Sequence, residues 1–175
     1  MTPSRALAVL VFTLSACSDG EVDAPATSNT VQVGTIDASI GGEAKTFSVV
    51  KYTGTIKLSD CVYRYNTSNP ADGSILIIGR VGDETFTIFI ATPVAGGSWS
   101  SDQYHYLGYS IGSSDTAVVT SSKNAGGSAS IQLSAFPGTT GSTASGTFSG
   151  NLKSADGSRT ATVTQGRFSC TVTAN

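Results

Sequence analysis

The sequence predicts an all-β domain. It reads as a single antiparallel β-sandwich or, alternatively, as an up-and-down or partly open β-barrel, with about nine to eleven short strands. Three observations point there. Turn and strand formers dominate, with 20 Gly, 26 Ser and 23 Thr among 175 residues, and runs of Ala, Leu, Glu and Lys at helical spacing are missing. From Val31 onward, apolar residues recur at period two. Turn signals rich in Gly, Asp and Asn interrupt that pattern at short intervals.

In chain order, "VQVGTIDASI" turns at Gly41-Gly42 into "AKTFSVVKY", and "CVYRY" places Cys61, Tyr63 and Tyr65 on one face. After the polar loop "NTSNPADGS" come "ILIIGRV", the tight turn "GDE" and "TFTIFIA". Both of these strands are apolar on both faces, which predicts the central and most buried hairpin. The long loop "TPVAGGSWSSDQ" leads to "YHYLGYSI" and "AVVTSS". In "GSASIQLSA", Ala129, Ile131, Leu133 and Ala135 alternate with Ser128, Ser130, Gln132 and Ser134, one dry face against one wet face. The tail reads "ASGTFSGNL", turn "SADGS", "RTATVTQG" and "RFSCTVTAN". Ala144, Gly146, Phe148, Gly150 and Leu152 share one face, as do Phe168, Cys170 and Val172. No internal repeat of roughly 20–50 residues is present, which argues against a solenoid or propeller.

The amino terminus carries an address. Arg5 precedes an uncharged run from Ala6 to Leu14, too short for a bilayer span of about twenty helical residues and right for the apolar core of an export signal. The run ends in Leu14-Ser15-Ala16-Cys17, which resembles the lipobox of bacterial lipoproteins. That resemblance implies cleavage before Cys17, acylation of its thiol and new amino group, and durable attachment to a membrane. An ordinary signal peptide with an incidental cysteine is the alternative. In such lipoproteins an Asp directly after the Cys favours the inner membrane; Ser18 stands there, so the resemblance implies the outer membrane, with the domain facing periplasm or cell surface. The organisation is then a signal (1–16), a lipidated Cys17 with a flexible tether (17–30) and a β domain (31–175).

With Cys17 acylated, Cys61 and Cys170 remain. In an oxidising compartment such a pair forms a disulfide, and so long a loop gives ~4–5 kcal/mol as an upper figure in the chain-entropy account. Two buried thiols are the alternative. A formal net charge of −2, with basic residues scattered singly, speaks against nucleic acid as a partner.

The tail also resembles a recurring ending in small exported β-domain families of unknown function. In these a "GTFSG-L" strand, here Gly146 to Leu152, leads by a turn to "V-T-x-G-x-F", here Val163 to Phe168. The resemblance extends from about Ile36 to Val172, implies a β fold with a secreted or lipid-anchored habit, and brings no catalytic residue with it.

Signatures of catalysis are thin. His105 is the one histidine and would have to be the base of any serine hydrolase, yet no serine sits in a G-x-S-x-G elbow. Most acids stand in turns, where Asp before Gly is ordinary turn chemistry. One histidine is too few for a usual zinc set, no calcium-loop pattern occurs, and glycine loops for phosphates or dinucleotides are absent. No catalytic residue, metal or cofactor is expected. The suggestive cluster is aromatic: Trp99, in the Gly/Ser loop, is followed by Tyr104, Tyr106 and Tyr109. Trp99, Tyr104 and Tyr106 are the candidate ligand platform, edged by Asp102 and Gln103; the alternative places these rings in the core. The sequence thus predicts a non-catalytic binding or interaction module for a glycan or envelope component. A protein-partner or inhibitor lipoprotein is the second reading, and a small hydrolase a distant third.

Overall fold

The computed structural model describes residues 30–52, 61–64, 73–112, 119–120 and 125–174. The signal segment, Cys17 and the tether before Thr30 lie outside them. Twelve strands form among the described residues: β1 (Thr30–Ile40), β2 (Glu43–Tyr52), β3 (Cys61–Arg64), β4 (Ser74–Val81), β5 (Glu84–Ala91), β6 (Ser98–Ser100), β7 (His105–Ile111), β8 (Val119–Thr120), β9 (Ser128–Ala135), β10 (Thr143–Lys153), β11 (Thr160–Thr171) and β12 (Thr173–Ala174).

The all-β class holds, but the sandwich does not. Pairing runs β11–β1–β2–β4–β5–β7–β8–β10, and β10 pairs back onto β11 along most of its length. That last ladder closes an eight-stranded antiparallel barrel. β9 and β6 extend from the side of β10, while β3 and β12 form a parallel pair attached to β4. Two seams in the ring are thin. β2 meets β4 at Ser48↔Arg80 and β8 meets β10 at Lys153↔Thr120. Period-two alternation is common to sandwiches and barrels, and the two seams separate two continuous sheets, so a two-layer expectation was natural.

The turns follow from local chemistry. Gly41 and Gly42 both have positive φ, 61° and 94°, as a two-residue hairpin requires. This turn, the β4–β5 turn and the β10–β11 turn gather at one rim, the hairpin end. β3 and β12 lie toward the opposite rim, the wide end, beside the first half of β4, while β9 runs along β10 from Ser145 to Asn151 and carries β6.

An eight-stranded barrel is just wide enough for its side chains to fill it. Here Ile36, Phe47, Val49, Ile75, Ile77, Phe86, Ile88, Ile90, Leu107, Ile131, Leu133 and Leu152 are fully buried. Each contributes roughly 1.5–3 kcal/mol of transfer free energy. Rings run through the middle: Phe86 lies 5.6 Å from Phe47 and 5.2 Å from Phe148, and Phe148 lies 6.5 Å from Phe168. The β4–β5 hairpin is a second correction. Its inward residues are buried, but Leu76, Ile78 and Phe89 on its outer side are half-buried, because a barrel has one interior where a parallel sheet has two covered faces.

The disulfide expectation is met. Cys61 on β3 is bonded to Cys170 on β11, with Cα atoms 6.3 Å apart, and both are buried. The two strands are not ladder partners; β12, which continues the chain just past Val172, pairs with β3 and brings the cysteines together. The wall is tight there, since a Cβ on Gly34 would sit 2.2 Å from the Ser169 carbonyl oxygen and 2.5 Å from the Cys170 Cα. A glycine at that place lets β1 pass close behind the bond.

Candidate functional site

At the wide end, Trp99 is the middle residue of β6, opposite Ile131 of β9. It is half-buried against the core, and its ring lies over Gly97, where a Cβ would fall 2.4 Å from it. Its ring partner is His105, stacked at 5.8 Å and 19°. His105 Nδ1 is 3.0 Å from Asp102 Oδ1, and Nε2 is 3.1 Å from the Ala91 carbonyl oxygen. The same Asp102 oxygen accepts the N–H of Tyr104 at 2.6 Å and of His105 at 2.8 Å. These donors, the Tyr104 N–H foremost, hold the Asp102 carboxyl below the usual range. Asp102 thus folds the loop into β7, and His105 links β5, β6 and β7.

The predicted platform is therefore divided. Along β7 the alternation is as expected: Leu107 and Tyr109 are buried on the side shared with His105, and Tyr106 faces outward, stacked on Phe89 at 5.3 Å and 25°. Trp99 joins the His105 side. Tyr104 is 56% exposed and Gln103 is exposed. The three rings do not share a face, because β6 turns its middle residue inward when it pairs with β9.

At the hairpin end the inward positions change character. Lys45 Nζ lies 2.7 Å from Glu84 Oε1, and the Tyr109 hydroxyl donates to Glu84 Oε2 at 2.7 Å. Just beneath them, Phe47 and Phe86 stand 6.4 Å from the Tyr109 ring. The hydrogen bond with Glu84 raises the Lys45 ammonium, and the same bond holds Glu84 below the carboxylate range. Burial, helped by Glu84, pushes the Tyr109 hydroxyl up to about 12. All three groups are internally matched, so this cluster is a polar stopper.

The third place was not foreseen. The outer faces of β9, β10, β11, β1 and β2 carry Ser, Thr, Gln and Asn at alternate positions, and open grooves run over them. One of about 380 Å³ is lined by Asp37, Ser39, Thr46, Gln165 and Arg167. A second, of about 340 Å³, is lined by Ser98, Gln132, Thr147, Ser149, Gln165 and Arg167. A third, of about 400 Å³, shares Ser130 and Ser149 with the second. Arg167 Nε and Asp37 Oδ2 pair at 3.3 Å, and Thr46 Oγ1 donates to Asp37 Oδ1 at 2.7 Å.

A bulge in β11 shapes this surface. Asp37↔Arg167 is followed by Ser39↔Thr164, and Phe148↔Gly166 by Gly150↔Val163, so the same extra residue of β11 is met from both sides. Gln165 sits there in the left-handed region, at φ 54°, which costs a non-glycine residue roughly 1–2 kcal/mol. The signal was in the text: Val163 and Phe168 are five apart, so both can point inward only if the alternation slips between them.

Among the described residues no group of three or more His, Cys, Asp or Glu side chains could hold a metal ion. No family model, curated protein or solved structure matches the chain.

Proposed function

We propose that this chain is an envelope protein, anchored in the bacterial outer membrane through lipid at Cys17, whose barrel acts without catalysis as a binding module for a glycan or other envelope component. The observation that carries the reading is where the polar chemistry lies. The barrel interior is filled with aliphatic and aromatic side chains, and the matched Lys45–Glu84–Tyr109 cluster stops one end. A ligand is then met on the outside, where the hydroxyl- and amide-rich grooves lie. The Cys61–Cys170 bond supports an exported address, since such bonds persist in oxidising compartments. The lipobox text and Ser18 support the anchor and its outer-membrane destination.

A protein partner is the second reading. Val94 and Tyr104, 59% and 56% exposed, stand in the long segment between β5 and β7, and exposed aromatic and aliphatic residues on such segments favour protein contacts. The test has two parts. Intact mass of the exported protein is expected to show a chain starting at Cys17 with fatty acyl groups, and Cys17→Ser is expected to leave unlipidated precursor; a soluble form with unmodified Cys17 would refute the anchor. Envelope pull-down beside a glycan array then separates glycan from protein partner.

A further inference from the structure

We infer that the grooves over the outer wall form one glycan site, which takes an uncharged, hydroxyl-rich chain of sugars laid across the strands, with the β11 bulge as its central subsite. This rests on the binding-module reading above and gives it a place and a ligand class.

Continuity is the first argument. The first two grooves share Gln165 and Arg167, so together they form a single trough. It is lined from β6, β9, β10, β11, β1 and β2, which are successive neighbours in the sheet. Six strands at ~4.8 Å spacing span about 24 Å. A trough that long and open fits an extended chain better than a single sugar.

Chemistry is the second. The trough offers hydroxyls and amides, which both donate and accept, as sugar hydroxyls do. Its charges are each already paired: Asp37 with Arg167 at 3.3 Å, and Lys45, at one end of the lining, with Glu84 at 2.7 Å. An acidic polymer would find no unmatched cation there and would meet the Asp37 carboxylate. A vicinal diol suits the pair: one hydroxyl donates to Asp37 while its neighbour accepts from the Arg167 guanidinium.

The bulge is the third. Thr164 and Gln165 are consecutive and both exposed, between the buried Val163 and Gly166. The slip doubles the outward polar groups at the middle of the trough and bends the strand there. Gln165 holds this place in a backbone conformation that glycine would adopt more readily. The slip that turns both Val163 and Phe168 inward leaves its strain on an exposed polar residue, and strained positions of this kind cluster at binding sites.

The experiment is titration of the mature protein with neutral oligosaccharides of increasing length and with uronate-bearing chains of matched length. Wild type is compared with Gln165→Gly, Arg167→Ala and Ser149→Arg. Gln165→Gly removes the amide while easing the backbone, so a loss of binding cannot be ascribed to unfolding; unchanged melting of each variant checks the rest. Neutral chains are expected to bind more tightly with length until the trough is filled. Gln165→Gly and Arg167→Ala are each expected to weaken binding about tenfold, and Ser149→Arg to block it. If wild type binds a glycan and all three variants bind it equally, the trough is overturned and the binding-module reading stands. Preference for the uronate-bearing chains overturns the ligand class. If no glycan binds and pull-down recovers an envelope protein, the site is overturned in favour of the protein reading. Failure of both assays would overturn site and reading together.

Discussion

The two ends of the barrel are closed by different physics. At the wide end, Cys61–Cys170, Tyr63 against Phe136 at 5.1 Å, and Trp99 against His105 fill the opening with covalent and apolar contacts. The segment between β9 and β10 is tied to Val172 by two backbone hydrogen bonds of 2.8 Å, from Gly141 N and to Ser142 O. At the hairpin end, short turns do most of the closing, and a matched ammonium, carboxylate and phenol finish it. The difference follows from strand supply. Where the β2–β4 and β8–β10 seams leave the wall thin, extra strands are added at the wide end and must be held there. At the hairpin end the hydrogen-bonded Lys45–Glu84–Tyr109 stopper does this work.

The largest effect expected from this contrast is redox. Reducing Cys61–Cys170, or replacing both residues with Ser, should cost about 2–5 kcal/mol. Hydrogen exchange should then quicken first in β3 and β12 while amides around Phe47 and Phe86 stay protected. Uniform loss of protection would erase the distinction between the ends.

A smaller effect concerns Trp99. Full burial would make its truncation cost ~3–5 kcal/mol; half-buried, Trp99→Ala should cost about 2–3 kcal/mol and leave glycan titration unchanged. A variant of wild-type stability with lost ligand binding would return Trp99 to a binding platform.

The smallest effect is on pH. Lys45 and Tyr109 have raised values in the folded chain, so their contribution is full below about 10, their usual range, and is lost as pH rises through the folded values, about 12 for Tyr109. Glu84 is lowered, so its contribution is present above about 4.3 and is lost as pH falls through its folded value. Melting temperature should therefore be level between roughly pH 5 and 9 and fall on both sides. Tyr109→Phe should shallow the alkaline fall; an unchanged alkaline limb would remove Tyr109 from the stopper.

The sequence made the faces legible but not the neighbours. Ser128, Ser130, Gln132 and Ser134 point out, and Ala144, Phe148 and Leu152 point in, as alternation requires. Whether β10 returns to β11 alone or closes a ring through β1 is a long-range matter that no local pattern encodes. Cys61 and Cys170 follow from counting, because two cysteines left over in an oxidising compartment have few fates besides a disulfide. Trp99 turns toward the core, the alternative the sequence left open, for a local reason with a distant cause: its side of β6 is set by pairing with Ile131. The trough escaped notice because its lining comes from both ends of the chain, and its central bulge appears in the text only as a slip between Val163 and Phe168.

The thin seams also set an order of assembly. β4, β5 and β7 are consecutive in the wall and pair over short sequence separations, which favours early formation. β1 has no such freedom: Gly34 to Ile40 pair with residues from Cys170 back to Val163, so one edge of β1 waits through most of synthesis. Closure is thus a late event that depends on β11, and the Cys61–Cys170 bond follows it. An interrupted copy lacking β11 keeps two raw strand edges, on β1 and β10. Unpaired edges invite aggregation or capture, so completeness of the chain becomes a condition that a surveillance protease or chaperone can read directly.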